Sequence, residues 1–376
     1  MPRASASPFS SFTAVHLRPS AVQLALTNQG DALRRTGGPA FARHETFYPR
    51  FGWLKKGFDA AAADSEVFLR DDAAVRLGVG KNMARSIRYW CHAFKLLDEV
   101  PVAGGRSYAS VPSAFGTRLL GPGGWDPFLE DPTSLWLLHW KLLAAPCTAT
   151  AWQVAFGLLP SAEFSVDGLA DALAEYTAVV YPGARTAPSS FRKDAALLAR
   201  MYGEPAAGAA ATEETLQCPF VELGVLRPGA APRTYAFQLG AKPGLAAAVV
   251  VAACLEYAAA DGTGSDGENT GGRGTAPGAT GARTVAVSRL LRDPSGPGMA
   301  LKLTEGALCD AVEAVGRAEP RVRLSDAEGF VQLVVDHDAP GALAERLLGQ
   351  YYAYGTSGGR RLPATASAGD TLAGAA

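Results

Sequence analysis

The chain has 376 residues, 48% of them hydrophobic, and a formal net charge of -1. That length and apolar content allow a sizeable core and predict two or three domains. The near-zero charge excludes a uniformly basic, histone-like polyanion binder, so any contact with nucleic acid has to come from local patches.

Residues 1–40 are rich in Ser, Pro, Gly and Ala with weak periodicity, which predicts a mobile N-terminal segment. The unit that follows, residues 41–145, opens with FARHETFYPRFGWLKKGFDA, where His44, Glu45, Arg50, Lys55 and Lys56 stand among Phe41, Phe47, Tyr48, Phe51, Trp53 and Phe58. A histidine beside a carboxylate among aromatic residues is a candidate general base or half of a metal site, which makes His44 and Glu45 the candidate catalytic pair. The alternative is that the aromatics are core and the charges cap a helix or meet phosphates. Lys55 and Lys56 suit backbone phosphates, contacts that position a protein on DNA without reading its sequence.

Next comes DDAAVRLGVGKNMARSIRYWCHAFKLL, residues 71–97. Asp71 or Asp72 can cap a short helix reaching Leu77, and Gly78 can end it in a left-handed conformation. After Val79 and Gly80 a second helix follows, which is helix-turn-helix spacing. Met83, Ile87, Trp90, Phe94 and Leu97 recur every three or four positions and predict its buried face. Lys81, Arg85, Arg88, His92 and Lys95 follow the same spacing shifted by two, with no acid between Arg76 and Leu97. A solvated helix face usually mixes signs, and this one does not, so the stripe is read as a DNA contact. Lys81, Asn82, Arg85 and Arg88 would enter a major groove, where arginine reads guanine and asparagine reads adenine, with Arg76 close by. The competing reading is a solvated face.

In GWDPFLEDPTSLWLLHWKLL, residues 124–143, Asp126, Glu130 and Asp131 lie close together. Converging carboxylates can hold Mg²⁺, but Asp-Pro followed by Thr and Ser also marks a loop and a helix cap, and the cap is the favoured reading. His139, on the same helix as Trp136 and Trp140, is read as a packed core histidine.

Residues 146–260 are expected to form a second, winged-helix-like unit. FSVDGLADALAEYTA (164–178) is an amphipathic helix, and SSFRKDAALLARMY (189–202) starts another with Ser189 or Ser190 as N-cap. Phe191, Ala195, Leu198 and Tyr202 make its core face, while Arg192 and Lys193 are exposed in its first turn as further DNA candidates. Glu222, in CPFVELG, is read as a turn or strand-edge acid, and YAFQLG (235–240) as a strand. The run Leu245 to Ala258 is shorter than the roughly 20 residues of a membrane span and is read as a buried helix.

Residues 261–283, DGTGSDGENTGGRGTAPGATGAR, have lost almost all large apolar side chains and are expected to be a flexible linker or loop. The C-terminal unit, 284–357, reads as TVAVSRLL, a short strand-like MALKL, then TEGALCDAVEAV and a second strand-like RVRL, again a winged-helix-like pattern. Residues 358–376 are a second mobile tail. The expected fold is therefore mainly α with small β wings, a multi-domain helix-turn-helix and winged-helix architecture.

The five cysteines and five histidines show no CxxC pair and no finger-like spacing, so no metal site is assigned. Scattered thiols fit a reduced, cytoplasmic protein. No Walker A loop, GxGxxG after a strand or GxSxG is present.

The runs HETFYPRFGWLKKGFDA, LRDDAAVRLGVGKNMARSIRYWCHAF, DPFLEDPTSLWLLHWKL and CPFVELGVL resemble the SspB-like family, encoded beside bacterial DNA phosphorothioation genes. The resemblance runs from about residue 41 to 357. It departs from the family at Arg43, where a small residue such as Gly is expected before the histidine. It implies a part in single-strand DNA phosphorothioation and phage defence, as a nickase acting on double-stranded DNA. A divalent cation, Mg²⁺ or Mn²⁺, is the cofactor that nuclease chemistry of this kind would use. A cysteine desulfurase, an ATPase and an ATP-pyrophosphatase-type sulfur-transfer protein are the implied partners. A sequence-reading adaptor without cutting activity and a transcriptional regulator of the locus are the alternatives.

Overall fold

The computed structural model describes residues 39–159, 161–203, 218–261, 282–327 and 329–356. The segments expected to be mobile, 1–40 and 358–376, and the glycine-rich stretch 261–283 therefore lie almost wholly outside the described residues.

Helix α1 (Trp53–Ala63) buries Trp53, Leu54, Gly57, Phe58 and Ala61, the one-sided spacing of a surface helix. A single 3-10 turn and the short helix α2 (Ala73–Leu77) lead to helix α3 (Lys81–Ala93). Gly57 lets α1 and α3 approach, because a Cβ there would stand 2.6 Å from both Cys91 Sγ and Ile87 Cγ2. Strands β1 (Leu97–Pro101) and β2 (Tyr108–Pro112) close the unit as an antiparallel hairpin, with Leu97 opposite Pro112 and Pro101 opposite Tyr108.

Helices α4 (Ala114–Leu120), α5 (Pro132–Leu143) and α6 (Thr150–Gly157) follow. Almost every side chain of α5 and α6 is buried, so these helices lack a polar face and form the interior. Strand β3 (Glu163–Ser165), helices α7 (Val166–Val180) and α8 (Pro188–Tyr202), and strands β4 (Leu226–Pro228) and β5 (Thr234–Phe237) come next. Their strands make an antiparallel sheet in the order β3-β5-β4. Helix α9 (Ala247–Asp261) is apolar all round and runs through the core, as Leu245 to Ala258 predicts. Strand β6 (Ala282–Ala286), helices α10 (Val287–Arg292), α11 (Pro297–Leu301) and α12 (Glu305–Gly316), strands β7 (Val322–Ala327) and β8 (Phe330–Asp336), and helix α13 (Pro340–Thr356) complete the chain. This last sheet has the order β6-β8-β7.

The fold is mainly helical with three small antiparallel sheets, and its buried side chains form one cluster reaching from Tyr48 to Tyr352. Two local expectations are corrected. MALKL is not a strand: its first residues end α11, and Lys302 then turns left-handed at φ 52° with its amine buried. Helix α8 takes no cap from Ser189 or Ser190, because Pro188 starts the helix one residue earlier and Ala187 holds the cap position without a side-chain bond.

Candidate nucleic-acid interface

Helix α3 is positioned by both of its ends. Before it, the Gly78 N–H donates to Val75 O and the Val79 N–H to Ala74 O, with Gly78 left-handed at φ 62°, which closes α2 sharply. After it, the same pair of bonds recurs: the Lys95 N–H donates to His92 O and the Leu96 N–H to Cys91 O, with Lys95 at φ 58°. The chain therefore reverses at Lys95 and enters β1 at Leu97, and the helix ends sooner than its apolar spacing predicts. Ile87 and Trp90 are completely buried and Met83 half-buried, so the predicted core face is the real one.

The basic stripe lines a broad cleft of about 1310 Å³, bordered by residues 40–43 and Glu45, by Phe68, Arg70, Asp71, Ala73 and Ala74, and by the start of β1. The stripe changes character along its length. Lys81 and Asn82 are exposed at its start. Arg85 is 56% exposed and lies 3.6 Å from Glu45 Oε1, a loose pair that costs little to break. Arg88 is turned toward the hairpin: its Nη2 donates to Tyr108 O at 3.2 Å and to Glu99 Oε1 at 3.3 Å.

The last two members are structural, which corrects the expectation of a free stripe from Lys81 to Lys95. His92 bridges Leu97 O at 3.0 Å through Nδ1 and Ser110 Oγ at 2.9 Å through Nε2, and burial holds its pKa below the usual histidine value. Lys95 Nζ donates to Ala144 O at 2.6 Å, and burial pushes its amine down to about 8. Besides the stripe, Arg43 and Arg70 bring positive charge to the cleft and Glu45, Asp71, Asp98 and Glu99 bring negative charge, so it is amphoteric, with Lys81 and Arg85 exposed at the N-terminal end of α3.

His44 is placed differently from Glu45. Its ring is 1% exposed and does not line the cleft, whereas Glu45 does. The Thr46 N–H donates to His44 Nδ1 at 3.1 Å, which leaves the proton on Nε2, and Nε2 donates to Asp194 Oδ1 at 2.8 Å. The same Asp194 oxygen accepts the Ala42 N–H at 2.8 Å. The His44 ring also stacks on Trp90 and meets Trp152 edge-on. Both ring nitrogens are thus engaged, and the pair fastens the left-handed turn at Ala42, Glu45 and Thr46 to helix α8.

The other candidates are dispersed. Lys55 pairs with Asp59 at 2.6 Å on α1, and Lys56 Nζ donates to Leu77 O at 3.1 Å, tying α1 to the end of α2. Arg76 pairs with Asp72 at 2.9 Å and approaches Asp64 at 3.7 Å. Arg192, 68% exposed, pairs with Asp167 at 2.9 Å, and Lys193 is exposed beside it on α8. None of these residues lines the cleft.

The acidic loop before α5 takes the cap reading. Asp131 accepts the Thr133 N–H at 2.9 Å as N-cap, and Asp126 accepts the backbone N–H groups of Glu130 and Asp131 and the Ser134 hydroxyl. Among the described residues no group of three or more His, Cys, Asp or Glu side chains gathers as a metal cage. The donors among the described residues therefore do not fit an ion held by protein ligands alone. His139 is packed in the core, as expected: Tyr202 Oη lies 2.8 Å from Nδ1 and Ala300 O lies 2.9 Å from Nε2. No helix among the described residues is long and apolar enough to cross a membrane.

Residues 41–352 match the family described as protein of unknown function (DUF4007), and the chain belongs to that family. Two solved structures are similar over most of their length. A magnesium ion-bound SspB crystal structure shares 34% sequence identity at a TM-score of 0.76, covering 85% of this chain and 90% of the other. A second SspB crystal structure shares 34% identity at a TM-score of 0.75, covering 86% and 90%. The chain is thus SspB-like. A search of curated protein sequences found no match.

Proposed function

We propose that the chain binds double-stranded DNA through α2 and α3, and serves as the nicking component of a bacterial single-strand DNA phosphorothioation and defence system. The observation that carries the DNA part is the exposed start of the α3 stripe, where Lys81, Asn82 and Arg85 face the cleft mouth or the surface beside it. Helix, short helix, turn, longer helix and hairpin follow one another in the order of a winged-helix unit. The similarity to SspB supports the phosphorothioation setting, with the desulfurase, ATPase and sulfur-transfer protein as partners.

A second reading, a sequence-reading adaptor without cutting activity, is favoured by one observation: His44 has both ring nitrogens engaged and stands outside the cleft. Incubation of the purified protein with supercoiled plasmid, with and without Mg²⁺ or Mn²⁺, separates the two. Metal-dependent open-circular product supports the nickase. Gel-shift binding without any relaxation of the plasmid supports the adaptor.

A further inference from the structure

The β1–β2 hairpin runs alongside α3 in a defined direction. Arg88 meets the hairpin at Tyr108 O, and His92, four residues further along the helix, meets it at Ser110 Oγ. Four helical residues advance roughly 6 Å, and two strand residues advance roughly 6.6 Å, so the two elements stay in step. Going from Ser110 toward the hairpin tip therefore moves toward the N-terminus of α3, where Lys81, Asn82 and Arg85 are.

The tip itself is ordered by backbone bonds. The Val102 N–H donates to Ser107 O at 3.0 Å, the Gly105 N–H donates to Val102 O at 3.2 Å, and Gly104 takes φ 75°. That turn presents Arg106, which is exposed and makes no ion pair among the described residues, beside the half-exposed Tyr108. Arg106 lies in the turn beyond the end of β2, on the side of Tyr108 that leads away from His92 and toward the N-terminal part of α3.

We propose that the hairpin is a second phosphate-binding element of the same DNA interface, with Arg106 contacting the duplex backbone beside the groove entered by α3. Arg88 is its positioning residue. This inference rests on the DNA-binding reading above. Arg88 thereby changes role: clamped to Glu99 and Tyr108 O, it fixes the distance between two DNA-contacting elements and does not itself read a base. The sequence points to the helix alone, because a single arginine in a Gly-Gly-Arg turn carries no periodic signal.

The test is fluorescence-anisotropy titration of the full chain with a duplex of about two helical turns across a salt series, for wild type, Arg85→Ala, Arg106→Ala, Arg106→Glu, Arg88→Gln and the Arg88→Gln/Arg106→Ala double variant. Arg106→Ala is expected to weaken binding about five- to tenfold at low salt and to lower the salt slope by about one, as removal of one phosphate-binding cation does. Arg106→Glu should weaken it further. In the Arg88→Gln background the effect of Arg106→Ala should shrink, since an unclamped hairpin no longer holds the arginine on the backbone. Binding lowered by Arg85→Ala but unchanged by both Arg106 variants overturns the hairpin proposal and leaves the helix reading intact. Strict additivity of Arg88→Gln and Arg106→Ala overturns the positioning role. Absence of duplex binding by the wild type overturns the DNA reading, and this proposal with it.

Discussion

His44 Nε2 donates to Asp194 Oδ1 at 2.8 Å, joining the turn before α1 to helix α8 across an interior where both side chains are almost fully buried. Removing the carboxylate leaves a buried donor unmatched, and each donor orphaned in this way typically costs about 1–3 kcal/mol. Asp194→Ala, which also orphans the Ala42 N–H, is expected to reduce unfolding free energy by about that amount for each donor in urea titration. Glu45→Gln, which removes only a loose pair with Arg85, is expected to cost under about 1 kcal/mol. A stability loss for Asp194→Ala no larger than that for Glu45→Gln would remove the anchoring role.

The packing of α1 on α3 admits no side chain at residue 57. Gly57→Ala would drive a Cβ to within 2.6 Å of Cys91 Sγ and Ile87 Cγ2, both completely buried, and overpacking of this kind costs about 1–3 kcal/mol. The expected result is a lowered Tm together with weaker DNA binding, because α3 has to shift to make room. An unchanged Tm would show that the two helices are not packed this closely.

His139 sets an acid limit on the fold. Burial lowers its pKa to about 4 from an ordinary 6.5, and in the folded protein it serves as a neutral ring between Tyr202 and Ala300 O. The unfolded state therefore binds the extra proton across that window. Stability is fully present above pH 6.5 and falls as the pH drops toward 4, by roughly 3 kcal/mol from this residue. Urea unfolding at a series of pH values should show this decline, and His139→Gln should flatten it. An equally steep decline in His139→Gln would place the titration elsewhere.

How much of this is legible in the sequence depends on whether a feature is local. Gly78 announces the end of α2, since glycine readily takes a left-handed φ, and the cap roles of Asp126 and Asp131 follow from their neighbours. The end of α3 uses the same bonds but puts Lys95 in the left-handed position, so residue type gives no warning and spacing alone extends the stripe one turn too far. The His44–Asp194 pair spans 150 residues, a relationship no spacing rule reaches. For the same reason Arg88 and His92 read as free cations until the hairpin that engages them is in place.

The paired surface cations provide an internal control. Lys55 and Arg76 already hold acids four residues away in sequence, at 2.6 and 2.9 Å, and stand outside the cleft. Lys55→Ala and Arg76→Ala are each expected to change duplex affinity less than Arg85→Ala does, measured by anisotropy at one salt concentration. A larger effect from either would move the interface away from α3 and onto the outer surface of α1 and α2.

The proposed DNA binding rests on the exposed start of α3, and the direct measurement is the salt dependence of duplex binding for wild type against Lys81→Ala/Arg85→Ala. The expected result is weaker binding, with a salt slope lower by about one for each phosphate that the variant no longer neutralises, and a further weakening of about 1–3 kcal/mol for any removed side chain that reads a base. Affinity and slope both unchanged in the double variant would contradict the DNA-binding role and make the stripe a solvated helix face.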